Sequence, residues 1–296
     1  PKPEKFEFFV PDEKLFWKFP AYHEEVNAFG FRGDEIEIPK PIHTYRMIFL
    51  GDSCTAQGYP AFVASLLNDR FATQTRRFES VNLSISGYSS YQGRMIAEMY
   101  GSQFEPDLVF IYYGWNDHWQ AYGAIDAQKK IKQTSWGRMA YKVYHNIRLL
   151  QGLKKIINTV KRSNKPLSQV RVSLDQYRQN LQHIKGIFQQ HNIPVVFISA
   201  PTAHYRCGVP DYLLDQNFIP SKEFSVTMHQ KYNSAVRTVA HESNSFLLDL
   251  ENDFNDSRAL EDIFKEDGIH FTDFGLMLIA NRIADFVTKN ILETQT

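Results

Sequence analysis

From residue 45 onward, short continuous apolar runs alternate with stretches whose apolar residues recur every three or four positions. The runs 45–50 (YRMIFL), 78–83, 107–113 (DLVFIYY), 195–199 and 246–250 read as strands buried on both faces. The stretches 60–67, 91–100 and 224–242 read as helices. A further helix opens at Ser173, where Ser173 and Gln176 have capping-box spacing, and Leu174, Tyr177, Leu181, Ile184 and Phe188 share one face. Asn192 and Pro194 close it. Thr272 caps a last helix to about residue 289, with Leu276, Ile279, Ile283 and Phe286 or Val287 on one face. The alternation predicts an α/β fold around a parallel sheet covered on both faces. Ligand sites in such sheets lie beyond the carboxyl ends of the strands. The residues after Leu50, Leu83 and Tyr113 are therefore expected to meet.

Two segments break the pattern. Residues 1–41 are acidic and rich in proline, yet carry Phe6, Phe8, Phe9, Phe16, Trp17, Phe19 and Phe29. So aromatic a segment reads as an irregular arm packed on the domain, ending in a turn around Gly30 to Gly33, rather than as a linker. The main domain is expected over 42–293, interrupted by a helical insertion at about 120–172. Overlapping it, residues 127–174 hold twelve Lys or Arg and no Asp or Glu. Val143, Ile147, Leu150, Leu153, Ile157 and Val160 lie there at helical spacing, which predicts a basic amphipathic helix. Such a helix either packs its stripe on the body or offers an anionic or membrane surface a basic face.

Charge and cysteine content narrow the classes. The chain of 296 residues has 33 basic and 33 acidic side chains, which argues against a globally basic nucleic-acid binder. Cys54 and Cys207 are the two cysteines, too few for a disulfide framework or an all-cysteine zinc site. No apolar run approaches the ~20 residues of a membrane span. His204 and Cys207 are half a metal set without partners, and no Walker loop, dinucleotide fingerprint or His-Glu-x-x-His occurs. No metal and no cofactor are expected. The chain starts at Pro1 rather than Met, so a signal or anchor ahead of it would not be seen; the compartment stays open, with an extracytoplasmic one favoured.

The candidate chemistry sits where the fold places it. Gly51-Asp52-Ser53 follows the first long strand, and the serine there can present both its hydroxyl and its N–H. Thr55 rules out a Gly-x-Ser-x-Gly elbow. Asp267-Gly-Ile-His270, just before the last helix, has the spacing of an imidazole and its orienting carboxylate, or of an ordinary surface turn. Gly87 follows the second strand and Asn116 the third. With the N–H of Ser53, they can supply three donors for an oxyanion. Asp52 reads as a local loop tie, Asn82 as a turn residue and Cys54 as a small buried residue.

Taken together, Ser53 in GDS, Gly87 in NLSISGYSSYQG, Asn116 in GWND, and Asp267 with His270 in DGIH resemble the SGNH hydrolases, the GDSL-type esterases and lipases. The resemblance runs from about Tyr45 to Asn290. It implies a flavodoxin-like three-layer α/β/α sandwich with about five parallel strands, plus the arm and the insertion. It also implies a Ser53, His270, Asp267 triad with an oxyanion hole of Ser53, Gly87 and Asn116. The implied activity is hydrolysis of an acyl ester of a lipid, a small molecule or an O-acetylated glycan. Acyl transfer to a glycan on the same site, and a binding module with a residual site, are the rival readings. The NLSISGYSSYQG stretch is similar to the bacterial thioesterase/lysophospholipase branch. The arm motif from Asn27 to Gly33 resembles other bacterial SGNH proteins. Position 115 is Trp where many members have Gly, so Trp115, His118 and Trp119 are candidate substrate contacts.

Overall fold

The computed structural model describes residues 9–23, 25–71, 76–121, 123–129, 169–255 and 260–293. The basic segment's apolar stripe, residues 143–160, lies outside them. The main sheet has five strands: β3 (Thr44–Gly51), β4 (Arg77–Asn82), β5 (Leu108–Tyr112), β6 (Val195–Ile198) and β7 (Phe246–Leu248). Their order is β4-β3-β5-β6-β7 and all pairings are parallel. This is the doubly wound order whose chain reversal lies beside the first strand of the sheet, here between β3 and β5.

Alternation along the strands builds two cores. Met47, Phe49, Phe110, Tyr112, Val196 and Ile198 face one side, where helices α2 (Tyr59–Arg70) and α6 (Asp273–Val287) cover them. Ile48, Leu50, Val109, Ile111 and Phe197 face the other, under α3 (Ser90–Tyr100), α4 (Leu174–Gln189) and α5 (Lys222–Glu242). With both faces covered, the strands read as continuous apolar runs rather than as alternating ones. The expected caps form: Gln176 N–H donates to Ser173 Oγ at 3.3 Å, Ser173 N–H donates to Gln176 Oε1 at 3.1 Å, and Thr272 Oγ1 accepts from Gly275 N–H. Among the described residues, no helix is long and apolar enough to cross a membrane.

The arm is more ordered than its composition predicts. Strands β1 (Val10–Asp12) and β2 (Phe16–Lys18) form an antiparallel hairpin, too short to show alternation in sequence. Asp12 Oδ1 accepts from Lys14 N–H and Leu15 N–H and shapes the turn. Leu15, Phe19, Val26, Phe31 and Ile36 join the core on the α3 side of the sheet. The turn at 27–31 is an asparagine turn, in which Asn27 Oδ1 accepts from Phe29 N–H and Phe31 N–H. Arg46, inside the apolar run of β3, is fully buried and donates to Glu79 Oε2, Phe104 O and Glu37 O, which locks the end of the arm to the sheet. The ends of the insertion meet in the same compact manner: Gln120 bridges Val170, and Arg171 and Val172 N–H donate to Trp119 O and Asp117 O.

Two helical glycines should respond in opposite ways to alanine. A Cβ on Gly93 in α3 would meet the Tyr113 ring at 2.4 Å, whereas a Cβ on Gly186 in α4 would meet nothing within 4 Å outside its own helix backbone. Gly186→Ala should stabilise the protein by about 0.5–1 kcal/mol through helix propensity. Gly93→Ala should destabilise it by about 1–3 kcal/mol through overpacking, despite the same gain in propensity. Urea unfolding of both variants checks this, and stabilisation of both would show that α3 can shift away from β5.

Candidate active site

Ser53 is the first residue of a short helix, α1 (Ser53–Ala56), which begins immediately beyond the end of β3. The turn needs glycine at 51, because a Cβ there would lie 2.2 Å from Thr55 Oγ1, itself bonded to Tyr59 Oη in the core. Asp52 caps α1 by accepting from Cys54 N–H at 3.0 Å. This fixes the serine at the carboxyl edge of the sheet, at the β3/β5 reversal.

His270 arrives from the opposite end of the chain. Its Nε2 lies 2.8 Å from Ser53 Oγ, and its Nδ1 lies 2.6 Å from Asp267 Oδ2. A carboxylate only accepts, so the imidazole proton sits on Nδ1 and Nε2 is left to accept from the serine hydroxyl. The other oxygen of Asp267 accepts from Ile269 N–H and His270 N–H, which holds the carboxylate in the loop. Burial alone would push the Asp267 carboxyl up, but His270 and these N–H donors outweigh it and hold the carboxyl below its ordinary range.

Gln57, one helical turn beyond Ser53, clamps the two halves. Its side chain donates to Phe271 O at 2.8 Å and accepts from Phe271 N–H at 2.9 Å. Nothing in the sequence flags this residue, since its partner is a backbone more than 200 positions away. His204, considered above as half of a metal set, is buried beneath the same loop with Nε2 2.8 Å from Asp267 O, while Cys207 is exposed.

Gly87 and Asn116 lie in the loops that follow β4 and β5. Gly87 has φ +82°, a left-handed conformation that favours glycine, and its carbonyl accepts from Arg171 Nη1 at 2.8 Å. Asn116 is buried, with Nδ2 donating to Tyr88 O at 3.1 Å, and Asn82 Nδ2 donates to Thr55 O at 3.2 Å. These bonds knit the loops after β3, β4 and β5 together, as expected of the residues following Leu50, Leu83 and Tyr113. Asp52 thus serves as a local tie, Asn82 ties the end of β4 to α1, and Cys54 is fully buried, its thiol pushed up by burial.

Beneath this surface lies a layer of buried carboxylates. Asp117 accepts from Ser90 N–H and Oγ at the start of α3, and burial pushes its carboxyl up to about 7. Asp126 accepts from Ser89 Oγ and pairs with Arg171 and Lys129. Burial pulls it up, but the Arg171 charge and bonds outweigh that and leave it below the ordinary range. Trp115 and His118, expected to touch substrate, face protein instead. Both are fully buried, Trp115 stacks on His229 with centroids 3.8 Å apart, and His118 Nε2 lies 3.2 Å from His229 Nδ1. The strand-end Gly114, at φ +140°, turns this segment into the core. Trp119 is partly exposed and packs on Phe218.

A serine–imidazole–carboxylate chain at the carboxyl edge of a doubly wound sheet defines a class of acyl-cleaving hydrolases. The chain belongs to the GDSL-like lipase/acylhydrolase family, whose model matches residues 49–276, and is a carboxylic ester hydrolase. Its fold is similar to that of the acetyl xylan esterase AlAXEase, at 18% identity and TM-score 0.52, over 82% of this chain and 99% of that one. It is also similar to a catalytic mutant of an acetylxylan esterase from Geobacillus stearothermophilus, at 19% identity and TM-score 0.50, over 81% and 93%. A third is a lipase/acylhydrolase from Enterococcus faecalis, at 15% identity and TM-score 0.50, over 82% and 94%. Among curated proteins, none matches the chain.

Asp52 supplies a test of the electrostatics. Burial pushes its carboxyl up to about 6, and its Oδ2 has no partner among the described residues. The native state therefore holds this proton at a pH where the unfolded chain has lost it. The contribution of Asp52 to stability falls as pH rises from about 4 through 6. Asp52→Asn keeps a capping oxygen and removes the titration. Its stability relative to wild type should improve by on the order of 2–3 kcal/mol between pH 4 and pH 7. Urea denaturation at the two pH values measures this, and a constant difference would show that Asp52 ionises normally in the fold.

Proposed function

We propose that Ser53 is the nucleophile of a serine ester hydrolase, with His270 as its general base and Asp267 as the orienting carboxylate. The observation that carries the reading is the unbroken chain of 2.8 Å and 2.6 Å contacts from Ser53 Oγ through His270 to Asp267. Ser53 Oγ attacks the acyl carbonyl carbon while its proton passes to Nε2. The C=O electrons move to oxygen, and the oxyanion is received by the N–H of Ser53, the N–H of Gly87 and Asn116 Nδ2. When the tetrahedral adduct collapses, the ester C–O bond breaks and the alcohol leaves with the proton from His270. Water then attacks the acyl-enzyme, giving its proton to His270, and the acid departs as Ser53 Oγ is re-protonated. Asp267 stays ionised and steadies the imidazolium. The ester is that of a lipid, a small molecule or an O-acetylated glycan, and the relatives that act on acetylated xylan make sugar acetates the first to try.

Two substitutions test the roles, assayed on p-nitrophenyl esters of graded acyl length beside acetylated xylo-oligosaccharides. Ser53→Ala should abolish turnover while leaving the thermal transition in place, and near wild-type turnover would remove Ser53 from the mechanism. Asn116→Ala should lower kcat by roughly 10²–10³ with little change in KM, as expected for a donor that acts on the transition state. A rise in KM at unchanged kcat would make Asn116 a ground-state contact.

A further inference from the structure

We propose that Trp17, carried on the arm and outside the matched family region, is a positioning residue for the Gly87 donor. The inference rests on the reading of Gly87 N–H as part of the oxyanion hole. The indole Nε1–H donates to Ser86 O at 3.3 Å. Ser86 C=O and Gly87 N–H are the two ends of one planar peptide, so a bond that fixes the oxygen also fixes the direction of the N–H. A donor on that oxygen further polarises the peptide and strengthens its N–H as a donor in turn.

The indole ring holds the same peptide by packing. A Cβ on Gly87 would lie 3.2 Å from Trp17 Cζ2, so the ring closes over the glycine. The next residue returns the contact: Tyr88 Oη donates to Trp17 O, and the two rings meet edge to face at 5.5 Å. Tyr88 O is the acceptor of Asn116 Nδ2, so Trp17 touches the segment that orders both side donors of the hole. Arg171 holds the following peptide through Gly87 O. Two segments remote in sequence thus fix two consecutive peptides of one loop.

The arm is built to present this side chain. Phe16 adopts φ +70°, an uncommon conformation for a bulky residue, and its ring stacks on Tyr91 of α3 at 5.7 Å. Leu15 and Phe19 on either side are buried in the core under α3. Trp17 itself stays partly exposed at the edge of the site.

Trp17→Phe keeps an aromatic ring over Gly87 and removes the donor. Phe19→Leu serves as the comparison, because it loosens the arm at the Phe9 and Arg32 contacts without altering the indole. Full-length proteins are compared in steady-state turnover of p-nitrophenyl acetate and in thermal unfolding. Trp17→Phe should lower kcat about tenfold, less than the 10²–10³ of a direct donor, with KM within about twofold and the melting temperature nearly unchanged. Phe19→Leu should lower the melting temperature and leave kcat near wild type. Unchanged kcat in Trp17→Phe, a rise in KM alone, or kcat losses that track the melting temperature equally in both variants would each overturn the role of Trp17. Wild-type turnover that persists undiminished in Ser53→Ala would take down the oxyanion-hole reading together with this one. An unaffected Trp17→Phe beside an inactive Ser53→Ala would take down only this one.

Discussion

The site depends on the parallel register of β3 with its two neighbours. Phe49 lies opposite Asn82 on one side and Gly51 opposite Tyr112 on the other, so β3 and β5 end level with each other and β4 ends two residues earlier, at the same edge. The chain after each must leave the sheet there, and each departure carries one of the groups proposed to act: Ser53 beyond β3, Gly87 beyond β4 and Asn116 beyond β5. A slip of one residue in either pairing would exchange the two faces of the strand and destroy both cores, so apolar burial enforces the register that sets the site. The remaining pair, Asp267 and His270, is brought to the same edge by the loop ahead of α6, and Gln57 ties that loop to α1 with two hydrogen bonds.

Hydrogen bonding to buried groups then turns proximity into geometry. The loops after β4 and β5 rest on Asp117 and Asp126, whose partners are the start of α3 and Arg171. Arg171 comes from the returning end of the insertion and reaches Gly87 O, while the arm approaches the same loop with Trp17. Both segments that interrupt the simple strand–helix pattern are therefore fastened to the loop that carries Gly87. The cost is a set of carboxylates taken out of water, which persists because each is capped by backbone N–H groups or by arginine.

The strand–helix alternation and the four motifs were legible because each has a short-range signature. An apolar run such as 45–50 marks a buried strand wherever it lands, and Ser173 with Gln176 marks a helix start locally. The hairpin at the arm left no such trace, since three-residue strands show no period. Arg46 sits unannounced in an apolar run because its acceptors come from 37, 79 and 104. Gln57 and Trp17 likewise act on backbone atoms distant in sequence, and any residue can present a carbonyl. Trp115 and His118 were drawn towards substrate by their nearness to Asn116 in sequence. The turn at Gly114 instead sends them beneath it, against His229.

The most direct measurement of the proposed chemistry is covalent. The wild-type protein is treated with a fluorophosphonate and digested, and the adduct is located by mass spectrometry. One phosphonyl group per chain on Ser53, with none on Ser84, Ser86, Ser89 or Ser90 in the neighbouring loop, is the expected result. An adduct on another serine, or no adduct on a folded protein that still cleaves esters, would contradict the assignment of Ser53 as nucleophile.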